Sequence, residues 1–295
     1  MVTVKKRKIK NNTYFYLEHS IRKNGKVEKK EKYLGKEIPK NLDSLKKEFF
    51  SQIYRETWFN LLDLIKKNFS KEQQIIPKEA KEKELESFMV RFTYDTNRIE
   101  GSTLTLRETS NLLEKGITPK EKSLDDVKET EAHKKVFYEM LAYDKDLSLQ
   151  IVLYWHKILF ENTKPDIAGK VRSHQVAISG SKFMPPFPAE VEILLREFFK
   201  WYQKNKHKVH PVELAALVHL KFVTIHPFAD GNGRISRLMM NFVLNKLKFP
   251  MLDIKYEKRT SYYNALERSQ TKKEETIFCN WFFRRFVKEN VGYAK

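Results

Sequence analysis

The chain has 295 residues, 41% hydrophobic and 32% charged, with 21 Phe and 13 Tyr to fill a core and a formal charge of +19. No run approaches the ~18 to 20 apolar residues of a membrane span, and the polar start Met1-Val-Thr-Val-Lys-Lys-Arg-Lys8 is followed by no apolar h-region, so no membrane or secretory element is expected. Cys279 is the single cysteine, which excludes an intrachain disulfide; within Ile277–Phe282 it reads as a reduced core thiol, and a cytoplasmic protein is expected.

Residues 1–40 hold 13 Lys or Arg against 4 Glu, a net of +9. Thr13–Leu17 and Val27–Leu34 alternate as strands, and Lys23-Asn24-Gly25-Lys26 between them is a hairpin signal, because a type I′ turn needs φ > 0 at both central residues. This predicts a small basic β-hairpin element closed by Pro39. Its charge and its aromatics (Tyr14, Phe15, Tyr16, Tyr33) suit a nucleic acid or another acidic surface, although a plain solvated surface has the same composition.

Residues 41–295 form the expected helical domain. Leu85, Phe88, Met89, Phe92 and Ile99 recur at helix spacing, and Gly101 ends a helix expected over 85–101. Thr105-Leu-Arg-Glu108 is a capping box that opens the next helix. Over 175–186, β-formers around Gly180 run into Pro185-Pro186 and predict a short hairpin or flap. His210-Pro211 begins a helix with Leu214, Leu217, Val218 and Phe222 on its apolar side.

That helix runs into His226-Pro-Phe-Ala-Asp230-Gly-Asn-Gly-Arg234-Ile-Ser-Arg237, after which Leu238, Met239, Phe242 and Val243 mark a second buried helix. Gly231-Asn232-Gly233 therefore lies at a helix N-terminus, where unpaired amides and the dipole favour an anion. Arg234 and Arg237, spaced i, i+3, are expected on one side of the first turn, which suits a polyphosphate. Asp230 is placed to hold a Mg²⁺ that bridges phosphate oxygens. His226 can take a proton near neutral pH. The Gly-Asn-Gly-Arg run lacks the Walker lysine frame, and no His-Glu-x-x-His or cysteine cluster suggests a metal hydrolase.

The segment 226–237 resembles the full signature of the Fic family, His-x-Phe-x-Asp/Glu-Gly-Asn-Gly-Arg-x-x-Arg. The resemblance covers roughly residues 85–287 and implies a mainly α fold: a Fic-type helical core with a short β-hairpin flap, to which the N-terminal hairpin is appended. It implies transfer of AMP from ATP to a Ser, Thr or Tyr hydroxyl of a target protein, and of the enzyme itself. His226 would be the general base, Phe228 an anchor and Asp230 the Mg²⁺ ligand. Gly231, Asn232, Gly233 and their amides would hold the α- and β-phosphates, and Arg234 and Arg237 the β- and γ-phosphates. Ile178-Ser179-Gly180-Ser181 resembles the family flap, which clamps the target backbone over the nucleotide by strand addition. Tyr262 and Tyr263 resemble the tyrosines bordering the nucleoside, with Gln270 where relatives often have Asn.

Thr96-Asn-Arg-Ile-Glu100-Gly101 resembles the family's inhibitory motif Ser/Thr-x-x-x-Glu-Gly/Asn. By that resemblance Glu100 pairs with Arg237, takes the place of the γ-phosphate and holds the enzyme inactive. Two alternatives stay open at this level: an enzyme that uses Glu100 to remove AMP, and a nucleic-acid-binding regulator acting through the basic N-terminus.

Overall fold

A computed structural model describes residues 2–23 and 26–295. Two compact units divide the chain: one ends at Leu64 and the other runs Ile65–Lys295. Among the described residues there are ten α-helices and one antiparallel sheet.

The first unit contains β1 (Thr3–Ile9), β2 (Asn12–Lys23) and β3 (Lys26–Gly35) in the order β1-β2-β3, followed by the start of α1 (Leu42–Ile75). The period of two places Leu17 and Ile21 on the inner face of β2, where Leu17, Phe49 and Ile53 form a buried cluster with Val4, Leu34 and Leu45 packed against it. Tyr14 and Tyr16 lie on the opposite face, and Tyr16 pairs across the ladder with Tyr33. The sequence pointed to two strands and the structure has three. β1 escaped notice because only Val4 and Ile9 are apolar in its basic run, and it pairs from an edge, with Val4 opposite Leu17. The expected Asn24-Gly25 turn lies outside the described residues. The first unit runs to Leu64, past the expected boundary at residue 40, and Phe49 and Ile53 of α1 pack into the core of the sheet.

The second unit is helical, as expected. It comprises α2 (Lys78–Ile99), α3 (Leu106–Lys115), α4 (Leu124–Ala142), α5 (Leu149–Phe160), α6 (Pro188–Asn205), α7 (Pro211–Ile225), α8 (Asn232–Lys246), α9 (Arg259–Lys272) and α10 (Glu275–Glu289). Local capping fixes several starts. Thr105 Oγ1 accepts from the Glu108 amide while Glu108 Oε2 accepts from the Thr105 amide at 2.8 Å. His210 Nδ1 accepts from the Val212 amide ahead of Pro211 at the first turn of α7. Helix α7 is apolar on nearly every side, and both helices are largely buried, α7 from Leu214 to Ile225 apart from Lys221 and Thr224, and α8 from Ile235 to Leu244 with Ser236, Arg237 and Asn241 among its buried residues. They pair at the centre of the unit, joined by the link 226–231. None of the described helices is long and apolar enough to cross a membrane.

Candidate active site

The α7–α8 link is an over-determined turn. His226 ends α7 in the left-handed region, φ 52°, and Gly231 opens α8 at φ 79°. Asn232 closes the loop on itself: its Oδ1 accepts from the Phe228 amide at 2.9 Å and its Nδ2 donates to the Phe228 carbonyl at 2.8 Å. Phe228 is fully buried and stacks on the His156 imidazole with ring centroids 3.8 Å apart. His156, also buried, bridges two backbones. Its Nδ1 accepts from the Gly169 amide, so its Nε2 carries the proton and donates to the Asp230 carbonyl at 3.0 Å. Burial pushes this imidazole down to about 4, which keeps it in that neutral form at pH 7. Gly231 leaves no room for a side chain, since a Cβ there would run into the Phe160 ring. With its positive φ, Gly231→Ala is expected to lower stability by about 1 to 3 kcal/mol. An unchanged denaturation midpoint would contradict this.

His226 itself is half-buried. Its Nδ1 lies 3.2 Å from the Val223 carbonyl, which can only accept, so Nδ1 bears the proton and Nε2 keeps its lone pair. Burial is the main influence lowering its pKa below the usual histidine value, and Arg172 adds to it; the Val223 hydrogen bond, Glu100 and Asp230 act the other way.

The two signature arginines diverge rather than share one side of the turn. Arg234 is buried toward α4 and α5: Nη1 pairs with Glu129, Nη2 lies 3.5 Å from Asp230 Oδ1, and the guanidinium sits 4.7 Å over the Phe160 ring. Its Nε has no partner among the described residues. Asp230 also accepts from Lys164 Nζ at 2.7 Å, and Lys164 reaches Glu129 at 3.1 Å. Burial raises the Asp230 carboxyl, but Arg234, Lys164 and the Gly231 amide outweigh it and hold the group below its ordinary value. Arg237 is buried toward α2. Its Nε donates to Thr96 Oγ1 at 2.6 Å, its Nη2 to the Thr96 carbonyl at 3.2 Å and to Glu100 Oε1, and its Nη1 to the Tyr262 hydroxyl at 3.3 Å. The Glu100 carboxylate lies so close over Gly233 that a Cβ at Gly233 would strike its Oε1. Glu100 thus sits on the first turn of α8, where an anion is favoured.

The chain matches the Fic/DOC family over residues 146–244, from just before α5 to the end of the buried stretch of α8. The chain is 34% identical over 178 residues to the protein adenylyltransferase Fic of Drosophila ananassae, and 35% identical over 181 residues to that of Nematostella vectensis. These alignments take in 59% and 60% of this chain but only 35% and 42% of the two relatives, so the chain spans well under half the length of the curated relatives it matches. In fold it resembles a Fic domain containing signaling protein from Bacteroides thetaiotaomicron, with TM-score 0.71 and 28% identity over 79% of this chain and 96% of that one. It also resembles Fic-1 from C. elegans, with TM-score 0.72 and 25% identity over 86% of this chain and 77% of that one.

Around the 226–237 loop the structure adds detail that the sequence does not show. The flap at 175–186 contains a turn, with the Ser181 amide donating to the Ile178 carbonyl at 3.1 Å across Ser179 and Gly180 at φ 75°, but no strand ladder. Pro185 and Pro186 have no N–H to offer a partner strand. The Gln175 side chain spans the gap to the Pro185 carbonyl at 3.0 Å, and the Lys182 amide is tied to Glu267 of α9. The Asn232 side chain is buried and engaged with Phe228, so the α8 amides rather than its carboxamide are left for an anion. Tyr262 is sealed in the core at 1% exposure, its hydroxyl shared between Arg237 and His219 Nε2 at 2.9 Å, so that it orients Arg237. Tyr263 remains partly exposed, donating to the Ile99 carbonyl at 3.0 Å next to Glu100. Gln270 is half-buried, donating to Thr224 Oγ1 at 3.2 Å on α7. Glu129, His156, Lys164 and Arg172 escape the sequence reading. A histidine within the apolar run Val152–Phe160 was the one available hint, and it points equally to a core position.

Proposed function

We propose that this chain is a protein adenylyltransferase that moves AMP from ATP to a Ser, Thr or Tyr hydroxyl of a target protein and of itself, and that Glu100 holds it inactive. The observation that carries the reading is the free Nε2 lone pair of neutral His226, on the loop whose other end opens an anion-binding helix N-terminus flanked by two buried arginines. The target oxygen attacks the α-phosphorus and passes its proton to His226 Nε2. The bond from the α-phosphorus to the bridging oxygen breaks, and pyrophosphate leaves with the electron pair. Amides of the first α8 turn face the α- and β-phosphates, while Arg234 and Arg237 neutralise charge on the departing pyrophosphate. The names of the curated relatives support this reaction.

Asp230 would hold a Mg²⁺, since its carboxylate is partly exposed and kept ionised by Arg234 and Lys164. When bound, such a cation screens the phosphate charge.

The test is incubation with Mg²⁺ and ATP labelled at the α-phosphate, followed by denaturation. Label retained on this protein or on proteins of a lysate supports AMP transfer. Label that moves only from the γ-position overturns it, and ATP-independent release of AMP from a modified target would assign the reverse reaction.

For the first unit a second activity is favoured by one feature. Tyr14, Tyr16 and Tyr33 cluster on the outer sheet face, with Tyr33 centroids 6.2 and 5.3 Å from the other two rings and Arg7 stacked 4.8 Å over Tyr16. Tyr33 is 54% exposed. Such a face can stack bases of a single-stranded nucleic acid while the lysines of β1 meet its phosphates. Affinity for a labelled oligothymidylate is expected to fall steeply from 50 to 200 mM salt and to drop on Tyr33→Ala. Binding that ignores both salt and Tyr33 would remove this reading.

A further inference from the structure

Arg172 lies between α5 and α6, outside the signature, and is 5% exposed. Its guanidinium is spent entirely on main-chain carbonyls. Nε donates to His226 O at 2.8 Å, Nη1 to His174 O at 2.9 Å and Nη2 to Pro186 O at 2.6 Å. Its own amide donates to Pro227 O at 2.9 Å. His174 and Pro186 are the two feet of the flap, and His226 and Pro227 begin the signature loop. The planar guanidinium therefore pins three points, both flap feet and the carbonyl of the left-handed His226, while the backbone amide of the same residue holds the residue after it. Among the described residues this guanidinium has three carbonyl partners and no carboxylate within ion-pair distance, a costly arrangement for simple packing, since its charge is desolvated. The planar fork matters, because a lysine offers a point donor that cannot span three diverging carbonyls.

We infer that Arg172 is a positioning residue that fixes the flap to the His226 loop, so that a target backbone held by the flap and the base facing its hydroxyl keep one geometry. The flap tip has its own anchor in the Lys182 amide to Glu267 bond, and its width is held by Gln175 to Pro185; neither reaches His226. Among the hydrogen bonds of the described residues, those of Arg172 join the two segments at their base. As a consequence it also acts on the imidazole electrostatically. The charged groups acting on His226 are Glu100 from the end of α2 and Asp230 from the loop, which favour its protonation, and Arg172, which opposes it.

The kinetic part of this inference rests on the AMP-transfer reading; the structural part does not. Arg172→Lys and Arg172→Gln are compared with the parent, each also in the Glu100→Gly background. Lysine keeps the charge and loses the fork, whereas glutamine loses the charge and keeps a short donor. Hydrogen exchange is expected to rise together in the flap peptide 174–186 and in 223–230 for both variants, while α2 and α10 stay protected. Nuclear magnetic resonance titration of the His226 ring should keep its midpoint in Arg172→Lys and move to higher pH in Arg172→Gln. With a target peptide, kcat should fall about 100-fold, the size expected of a misplaced reacting group, with ATP KM within about twofold of the parent. Exchange that rises in one segment only, or an imidazole midpoint indifferent to the charge, overturns the inference. So does a loss of kcat matched by an equal rise in ATP KM. If Arg172→Gln fails to fold, Arg172→Lys still decides through exchange and the KM-against-kcat split. Absence of any AMP transfer in the Glu100→Gly parent sinks the reaction assignment instead, and the exchange and titration results then judge Arg172 alone.

Discussion

The Glu100→Gly protein is expected to transfer AMP roughly 10 to 100 times faster than the parent chain, the range of a typical coupling between two sites. The reason lies in what remains around Arg237 when the carboxylate is gone. Thr96 Oγ1, the Thr96 carbonyl and the Tyr262 hydroxyl still hold the guanidinium, so the arginine keeps its place and one arm is freed for a phosphate oxygen. Removing Glu100 also clears the space over Gly233 on the first turn of α8. The same change leaves a buried arginine without its counter-ion. Without nucleotide the variant is therefore expected to melt earlier than the parent, and saturating ATP should restore more stability to it than to the parent. Initial rates of label transfer and melts with and without nucleotide check both halves. Equal rates in parent and variant would dismiss Glu100 as a brake.

His226→Ala is expected to cut transfer by about 100- to 10,000-fold, the usual contribution of a positioned general base, with ATP affinity changed by no more than about twofold. Its ring is hydrogen-bonded to the Val223 carbonyl and takes no part in the Asn232–Phe228 closure or the arginine contacts, so its removal is expected to leave both intact. The pH dependence carries a sign. Neutral imidazole is the working form, and the folded pKa lies below the ordinary 6.5. Activity therefore holds through neutral pH and is lost as pH falls through that lowered value, so the acid limb of kcat/KM should lie below pH 6.5. An acid limb above it, or a His226→Ala enzyme with undiminished kcat, would remove His226 from this role.

The residues at 226–237 were legible because their chemistry is local. Glycine conformations, a helix N-terminus and a histidine at a helix end are consequences of a dozen neighbouring residues, and the structure places Gly231 at the α8 N-cap and His226 at the α7 C-cap. The same holds for the Thr105–Glu108 capping box and the Pro211 start. The Arg237–Glu100 contact spans 137 positions, and it was foreseeable only from family resemblance, since spacing along the chain says nothing about which helices meet.

What the tertiary structure alone decided follows from that limit. The Lys164–Asp230 pair is 66 positions apart, the His156 bridge to Asp230 is 74, and the Arg172 bond to His226 is 54. Each depends on the order in which helices stack. Tyr262 and Tyr263 are adjacent and identical in type, yet a helical turn of about 100° per residue sends one into the core against Arg237 and leaves the other beside Glu100. The sequence by itself determined a helical protein with a glycine-rich turn at a helix N-terminus and a basic β element at its start. Packing determined which charges neutralise that turn, which amide closes it and which arginine ties the flap to it, because those choices are made by burial and by contacts between segments far apart in the chain.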